Sequence, residues 1–209
     1  MTAPKAKRRT AERILETALR LFNEHGEPHV TTTLISDELN ISPGNLYYHF
    51  KNKGAISEPL FHRFAQEIRE SLALPEQAVT MEDMWFQLHL VFEVIWRYRF
   101  IYRDLNDLLA RNRKLRELFR RIIAEQKQAG CAVFRGLVAA REMVASEEEL
   151  TTLANSVVLI ATYWLSFENV CGILNGDIGR GVYQAMSAIA PFLVGESRLL
   201  LEQLRADYL

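Results

Sequence analysis

Apolar residues recur at helical spacing along almost the whole chain, and no apolar–polar alternation persists for more than a few residues. Ile14, Leu15, Ala18, Leu21 and Phe22 make one stripe, which predicts a first helix from about Thr10 to His25. Gly26 is placed to stop it, and Pro28 forbids its continuation. Thr31 or Thr32 caps a short second helix whose apolar side is Ile35 and Leu39. After a tight turn at Asn40 and Ile41, Ser42-Pro43 opens a short third helix with Leu46 and Phe50 on one face. A fourth helix is predicted from near Asn52 to about Leu72, with Pro75 as its breaker.

Longer helices follow. One starts at Thr80-Met81-Glu82-Asp83 and runs to about Tyr98, and a shorter piece spans roughly Phe100 to Leu109. Asn112 caps a helix to about Ala140. Ser146-Glu147-Glu148-Glu149 is a capping box for a long helix to about Leu174, broken by Asn175-Gly176-Asp177. A last helix or pair runs from Gly179 to Tyr208, with a kink expected around Gly195. The expected fold is therefore all-α, with a tri-helical unit in residues 1–54 and a helical bundle in residues 55–209.

Composition agrees with a globular helical chain. Of 209 residues, 49% are hydrophobic and 24% charged, with only 10 Gly and 6 Pro. Net charge is −1, so bulk electrostatics announces no nucleic-acid partner. Its distribution says more: Lys5, Lys7, Arg8, Arg9 and Arg13 form a basic arm before the first helix. The two Cys supply neither a disulfide framework nor a metal site, and no metal or cofactor is expected. Val157 to Leu174 is the nearest approach to a membrane span, but Glu168 and Asn169 interrupt it. A buried helix, no membrane partner and a cytoplasmic location are expected, since no apolar stretch follows the basic N-terminus.

Three short helices with a tight turn between the second and third fit a helix-turn-helix. Ile14, Leu15, Leu21, Phe22, Val30, Ile35, Leu39, Ile41, Leu46 and Phe50 suffice for its small core. The opposite face of the third helix carries Ser42, Gly44, Asn45, Tyr47, Tyr48 and His49, with no acidic group among them, as an anionic duplex requires. Neighbouring residues on a helix stand about 100° apart, so Tyr47, Tyr48 and His49 cannot all turn inward.

Ser42-Pro43-Gly44-Asn45-Leu46-Tyr47-Tyr48-His49-Phe50-Lys51-Asn52-Lys53 resembles the recognition-helix signature of TetR-family regulators. Val30-Thr31-Thr32-Thr33 with Ile35 and Leu39, and the opening Ile14-Leu15…Ala18…Leu21-Phe22…Gly26, resemble the same family over roughly Arg9 to Phe64. The resemblance implies a homodimer that binds double-stranded DNA. Thr32, Thr33, Ser42, Tyr47 and His49 would touch phosphates or groove edges, and Gly44, Asn45 and Tyr48 would meet bases. Lys53 would bind the backbone. Asn45 stands where many members carry a hydroxyl residue, so operator sequence does not carry over.

It implies further that the last two long helices pair in a four-helix bundle, setting two recognition helices about one DNA turn apart over a near-palindromic operator. A cavity for a small apolar effector, such as a fatty acyl group or acyl-CoA, would release a repressor from DNA. Trp85, His89, Phe92, Trp96, Phe100, Arg103, Phe134, Trp164 and Asn169 are its candidate lining. Arg111, Arg113, Lys114, Arg116, Arg120 and Arg121 make a basic run that is a solvated face or a site for a phosphate-bearing ligand. More loosely, Leu88 to Leu108 is similar to TetR-type regulators of polyhydroxyalkanoate gene clusters. Two other readings compete: a ligand-independent architectural DNA binder, and a helical lipid-processing enzyme. No Gly-rich phosphate loop, nucleophile elbow or metal-spaced cluster supports an enzyme.

Overall fold

Local capping chemistry sets most of the helix boundaries. In the computed structural model, which describes residues 3–73, 79–173 and 177–206, Thr31, Ser42, Asn52 and Asn112 each accept a backbone N–H two or three residues into the helix they open. Thr80 with Asp83 and Ser146 with Glu149 close reciprocal capping boxes. Of the two threonines open as the second cap, Thr31 fills the position, its Oγ1 3.1 Å from the Leu34 nitrogen.

The helices so bounded are α1 (Ala3–His25), α2 (Thr32–Glu38), α3 (Pro43–His49), α4 (Lys53–Ser71), α5 (Met81–Arg97) and α6 (Arg99–Arg103). They continue as α7 (Leu105–Arg111), α8 (Arg113–Ala139), α9 (Glu147–Val170), α10 (Ile178–Ile189) and α11 (Gly195–Ala206). Short 3₁₀ turns occupy Glu27–His29 and Ala190–Phe192. Among the described residues the only extended pairing is an isolated bridge between Met143 and Leu193.

Several boundaries differ from expectation. The basic arm is not a tail preceding α1: the helix already runs from Ala3, because Ala, Lys and Arg are good helix formers and Pro4 is tolerated in a first turn. Pro59 sits inside α4 but within its second turn, and the helix continues through it. The piece expected from Phe100 to Leu109 is two helices, parted at Asp104. α9 ends at Val170, where Cys171 and the left-handed Gly172 (φ 78°) turn the chain. The break before α11 falls at the 3₁₀ turn containing Pro191, and Gly195 (φ 59°) opens the last helix. Pro75, Asn175, Gly176 and Tyr208, expected at ends and breaks, lie outside the described residues.

One continuous core joins both halves. Ile14, Ala18, Phe22, Ile35, Leu46 and Ile56 are fully buried around the first three helices. Phe100 of α6 stacks near Phe61 (6.2 Å between centroids) and tilts onto Phe22 (5.3 Å), so an aromatic of the second half closes the base of the tri-helical unit. Phe64 of α4 meets Tyr98, Tyr102 and Phe119 at 5.7, 5.7 and 6.2 Å. Each such pair adds about 0.5–1.5 kcal/mol beyond the area it buries. α4 packs on α1, α5 and α8 and therefore belongs mechanically to both halves.

α9 is long and apolar enough to cross a membrane by length and composition. One side of it is core, with Leu150, Leu153, Ala154, Val158, Ala161 and Leu165 buried. The other side leaves Leu159, Phe167 and Val170 at 60%, 57% and 84% exposure in the single chain. α9 is thus not buried on every side within one chain.

Candidate DNA interface, joint and effector groove

Seven residues of α3 divide by direction. Leu46 points inward and is fully buried, while Ser42, Pro43, Gly44, Asn45, Tyr47 and Tyr48 are exposed. Tyr48 is 68% exposed and edges onto the half-buried His49 ring at 5.3 Å. A Cβ on Gly44 would meet only the Ser42 hydroxyl, at 3.9 Å, so nothing inside the fold demands a glycine there. Its absent side chain leaves room for something approaching from outside.

Tyr47 Oη and Thr32 Oγ1 lie 3.1 Å apart and brace α3 against α2, and Thr33 is exposed beside them. These residues form one outward surface. Lys53 is placed differently: its Nζ donates to the Glu27 carbonyl at 2.8 Å and lies 3.4 Å from the Glu27 carboxylate. It is turned back towards the fold at the rim of that surface.

Glu27 is the hub of a joint that periodicity does not reveal. Its side chain is 7% exposed and sits between Lys53 of α4 and Arg111 of α7, whose Nη2 donates to it at 3.2 Å. Its own N–H donates to Asp104 Oδ2 at 3.2 Å, and Asp107 shares Arg111. Burial raises Asp104 above the ordinary carboxylate range; the Glu27 N–H opposes that shift, and the charges of Glu27 and Asp107 add to it.

Asn23, also buried, completes the joint. It donates to the Arg97 carbonyl at 2.8 Å and accepts the Phe100 N–H at 3.1 Å, while Arg103 donates to its carbonyl at 3.1 Å. Gly26 adopts φ 83°, a turn glycine makes without strain, and so delivers the chain from α1 into this cluster.

A groove of about 630 Å³ opens between α7, α8 and α9. Its apolar surface comes from Leu105, Leu109, Phe119, Ile123, Val158 and Leu159. Its polar groups are Asn106, Asn155, Thr162, Tyr163, Arg116, Arg120 and Lys127. Behind Val158 lies a hollow of about 50 Å³ bordered by Gln87 and Gln126, with Gln87 Nε2 buried and unpartnered among the described residues.

The aromatic candidates do not gather at this groove. Phe92, Phe100 and Phe134 are core residues. Trp85 and His89 lie 5.9 Å apart along α5, Arg99 lies over Trp96 at 4.9 Å, and Arg103 is engaged with Asn23. Trp164 packs beside Gly181 with its Nε1 buried and unpartnered among the described residues, and Asn169 is exposed. Among the described residues no group of three or more His, Cys, Asp or Glu is arranged to hold a metal.

A small-core helix-turn-helix with a carboxylate-free outer helix, riding on a helical bundle, defines a DNA-binding transcriptional regulator. The profile of bacterial regulatory proteins of the tetR family matches residues 14–58, and that of a bacterial transcriptional repressor, TetR, matches residues 63–201. The chain belongs to the TetR family. It is 35% identical to a TetR-family transcriptional regulator from Marinobacter aquaeolei VT8, covering 95% of this chain and 98% of that one at a TM-score of 0.87.

A putative transcriptional regulator from Saccharomonospora viridis in complex with choline has the same fold, with 20% identity, coverage of 90% and 98%, and a TM-score of 0.70. The probable HTH-type transcriptional regulator YttP of Bacillus subtilis (strain 168) is 26% identical over 104 residues, 46% of this chain. The chain spans about half (50%) of the length of that curated relative.

Proposed function

We propose that the protein is a homodimeric repressor that leaves a near-palindromic operator when a small, largely apolar effector binds its sensor half. The observation that carries the DNA side is the outward face of α3. Tyr47 and Tyr48 are exposed on the same short helix as Ser42 and Asn45, with no carboxylate among the residues of α3. Asn45 and Tyr48 are the base readers in this reading; Thr32, Thr33, Ser42 and His49 position the backbone, and Lys53 joins them when Glu27 yields it.

The exposed stripe of α9 supports the dimer. Leu159, Tyr163, Phe167 and Val170 follow one another at helical spacing, and a second copy of the same stripe is the covering that hides them from water. The groove supports the effector, as does the choline bound by the Saccharomonospora viridis neighbour. The similarity of Leu88 to Leu108 to regulators of polyhydroxyalkanoate gene clusters extends the reading to genes that handle fatty acyl compounds.

The test is selection of genomic fragments bound by the purified protein, followed by Tyr48→Ala. Selected fragments should share an inverted repeat, and affinity should fall steeply with salt. Tyr48→Ala should lose at least tenfold of its preference for operator over random DNA while remaining dimeric. Dissociation of the variant into monomers would instead place Tyr48 in the structural core and sink the assignment of α3 as the reading helix.

A further inference from the structure

We infer that the groove between α7, α8 and α9 binds an amphipathic anion: a hydrocarbon body carrying a carboxylate or phosphate head group, held at Arg120 and Lys127. The inference rests on the effector-regulated reading above and names the chemical class of the effector.

The charge pattern carries it. Arg116, Arg120 and Lys127 line the groove, and no carboxylate does. Positions 116, 120, 123 and 127 stand one above another on α8, so Ile123 interleaves the cations on a single wall about 16 Å long. A solvated helix face ordinarily mixes both signs. Here the cations look across an apolar floor made by Leu105 and Leu109 on one side and Val158 on the other, and Leu159 at the groove's edge belongs to the stripe that the second copy covers in the proposed dimer.

The three cations are not equally available. Arg116 donates to the Leu109 and Ala110 carbonyls at 2.9 and 3.2 Å, closing the end of α7, and is committed to structure. Arg120 has only Glu117 at 3.7 Å, an exposed pair that a ligand displaces readily, and Glu117 lines the cleft on the other side of α8. Lys127 is half-buried and has no carboxylate or hydrogen-bond partner among the described residues. A neutral apolar guest would cover these groups without satisfying them. An anionic head group satisfies them with charge-assisted hydrogen bonds while its tail takes the apolar floor. A volume of 630 Å³ lies within the range of small-molecule sites.

The experiment titrates the full-length protein with laurate, dodecyl phosphate, dodecanol and inorganic phosphate, each below any micellar threshold. Calorimetry and melting temperature are the readouts. Laurate or dodecyl phosphate should bind at least tenfold more tightly than dodecanol, and the tighter of the two identifies the head group. Inorganic phosphate should bind far more weakly than dodecyl phosphate. The R120Q/K127Q variant should lose about tenfold for the anions while its affinity for dodecanol and its melting temperature stay put. Should that variant melt early, Lys127→Gln alone should lose about threefold for the anions.

Binding of neither laurate nor dodecyl phosphate more tightly than dodecanol, or anion binding untouched in the variants, overturns the proposal. The operator fragment separates it from the reading beneath it. If the anions bind selectively and DNA stays bound, release by this effector fails and the site stands. If a neutral apolar compound releases DNA and the anions do not bind, the site fails and regulated release stands.

Discussion

Replacing Glu27 by Gln tests the joint between the two halves. The side chain is 7% exposed and lies 3.4 Å from Lys53 and 3.2 Å from Arg111. The neutral amide keeps the shape but leaves two cations facing each other with a donor between them. Removing one partner of a buried pair costs about 3–5 kcal/mol, and because Lys53 and Arg111 are themselves 28% and 48% exposed, water recovers part of that. A loss of about 2–3 kcal/mol is expected, which for a chain of this size lowers the melting temperature by about 4–12 °C. The assay is thermal melting of wild type and variant at one fixed protomer concentration, because a dimer's transition depends on concentration. Lys53 keeps its bond to the Glu27 main-chain carbonyl but loses the neutralising carboxylate, which should also strengthen non-specific DNA binding and steepen its salt dependence. A melting temperature within 1 °C of wild type, with unchanged salt dependence, would show that the cluster is only a surface ion pair and refute the hub.

Three further outcomes follow from the packing. Gly181→Ala should destabilise by about 1–3 kcal/mol in a melting experiment, because its Cβ would lie 2.4 Å from the Phe92 ring and 2.8 Å from Trp164 Cδ1. Phe167→Glu should convert the dimer to folded monomers in sedimentation analysis, since this exposed residue lies on the α9 stripe; a dimer that persists would move the interface elsewhere. Glu168 is buried with neither carboxylate oxygen hydrogen-bonded among the described residues, though Arg180 Nε stands 3.5 Å from Oε1, and burial raises it above its usual 4.5, opposed by Arg180 and reinforced by Asp177. Such a carboxyl holds its proton more tightly folded than unfolded, so its contribution to stability falls as pH rises from about 4.5 through the raised value. Glu168→Gln should therefore stabilise the protein near neutrality and flatten that fall, measured by denaturant titration across pH 4–8.

The parts of this molecule that were legible in its sequence are those set by local chemistry. Ser42-Pro43 and Ser146…Glu149 announce their helices because cap and capped amide lie within three residues of each other. That Tyr47, Tyr48 and His49 could not all turn inward was readable because three consecutive residues span about 200° of a helix, and Tyr47 and Tyr48 are indeed exposed. The break at Asp104 was not. No Gly or Pro marks it, and Asp104 there accepts an N–H from Glu27, 77 residues away. The Glu27 hub was invisible for the same reason: the Arg111 contact spans 84 residues, and periodicity carries no information at that range. The aromatic side chains expected around an effector met a different limit. Ring content does not tell core from cavity wall, and Phe92, Phe100 and Phe134 are core. Aliphatic and polar residues line the groove instead, with Phe119, Tyr163 and the cations Arg116, Arg120 and Lys127, the first two of these cations drawn from the basic run left as either a solvated face or a ligand site.

The short helix α7 is where these observations meet. Leu105 and Leu109 face the groove, while Asp107 and Arg111 of the same helix, with Asp104 just before it, face the Glu27 cluster. α7 is set off from α6 at Asp104 and from α8 at Asn112, while Arg116 of α8 holds its Leu109 and Ala110 carbonyls, so a shift of α7 would have to carry or break that clamp. Under the proposed regulation, a guest that wedged against Leu105 and Leu109 would move the helix that holds Arg111 on Glu27. Arg111 withdrawn would leave the Glu27 carboxylate to Lys53, drawing that lysine inward at the rim of the proposed DNA-reading surface. For such a shift to take the population from mostly bound to mostly released, the effector must prefer the displaced state by about 5.5 kcal/mol. Part of that preference must appear as a changed Arg111–Glu27 contact. In the Glu27→Gln protein, effector binding should persist and its effect on DNA affinity should shrink.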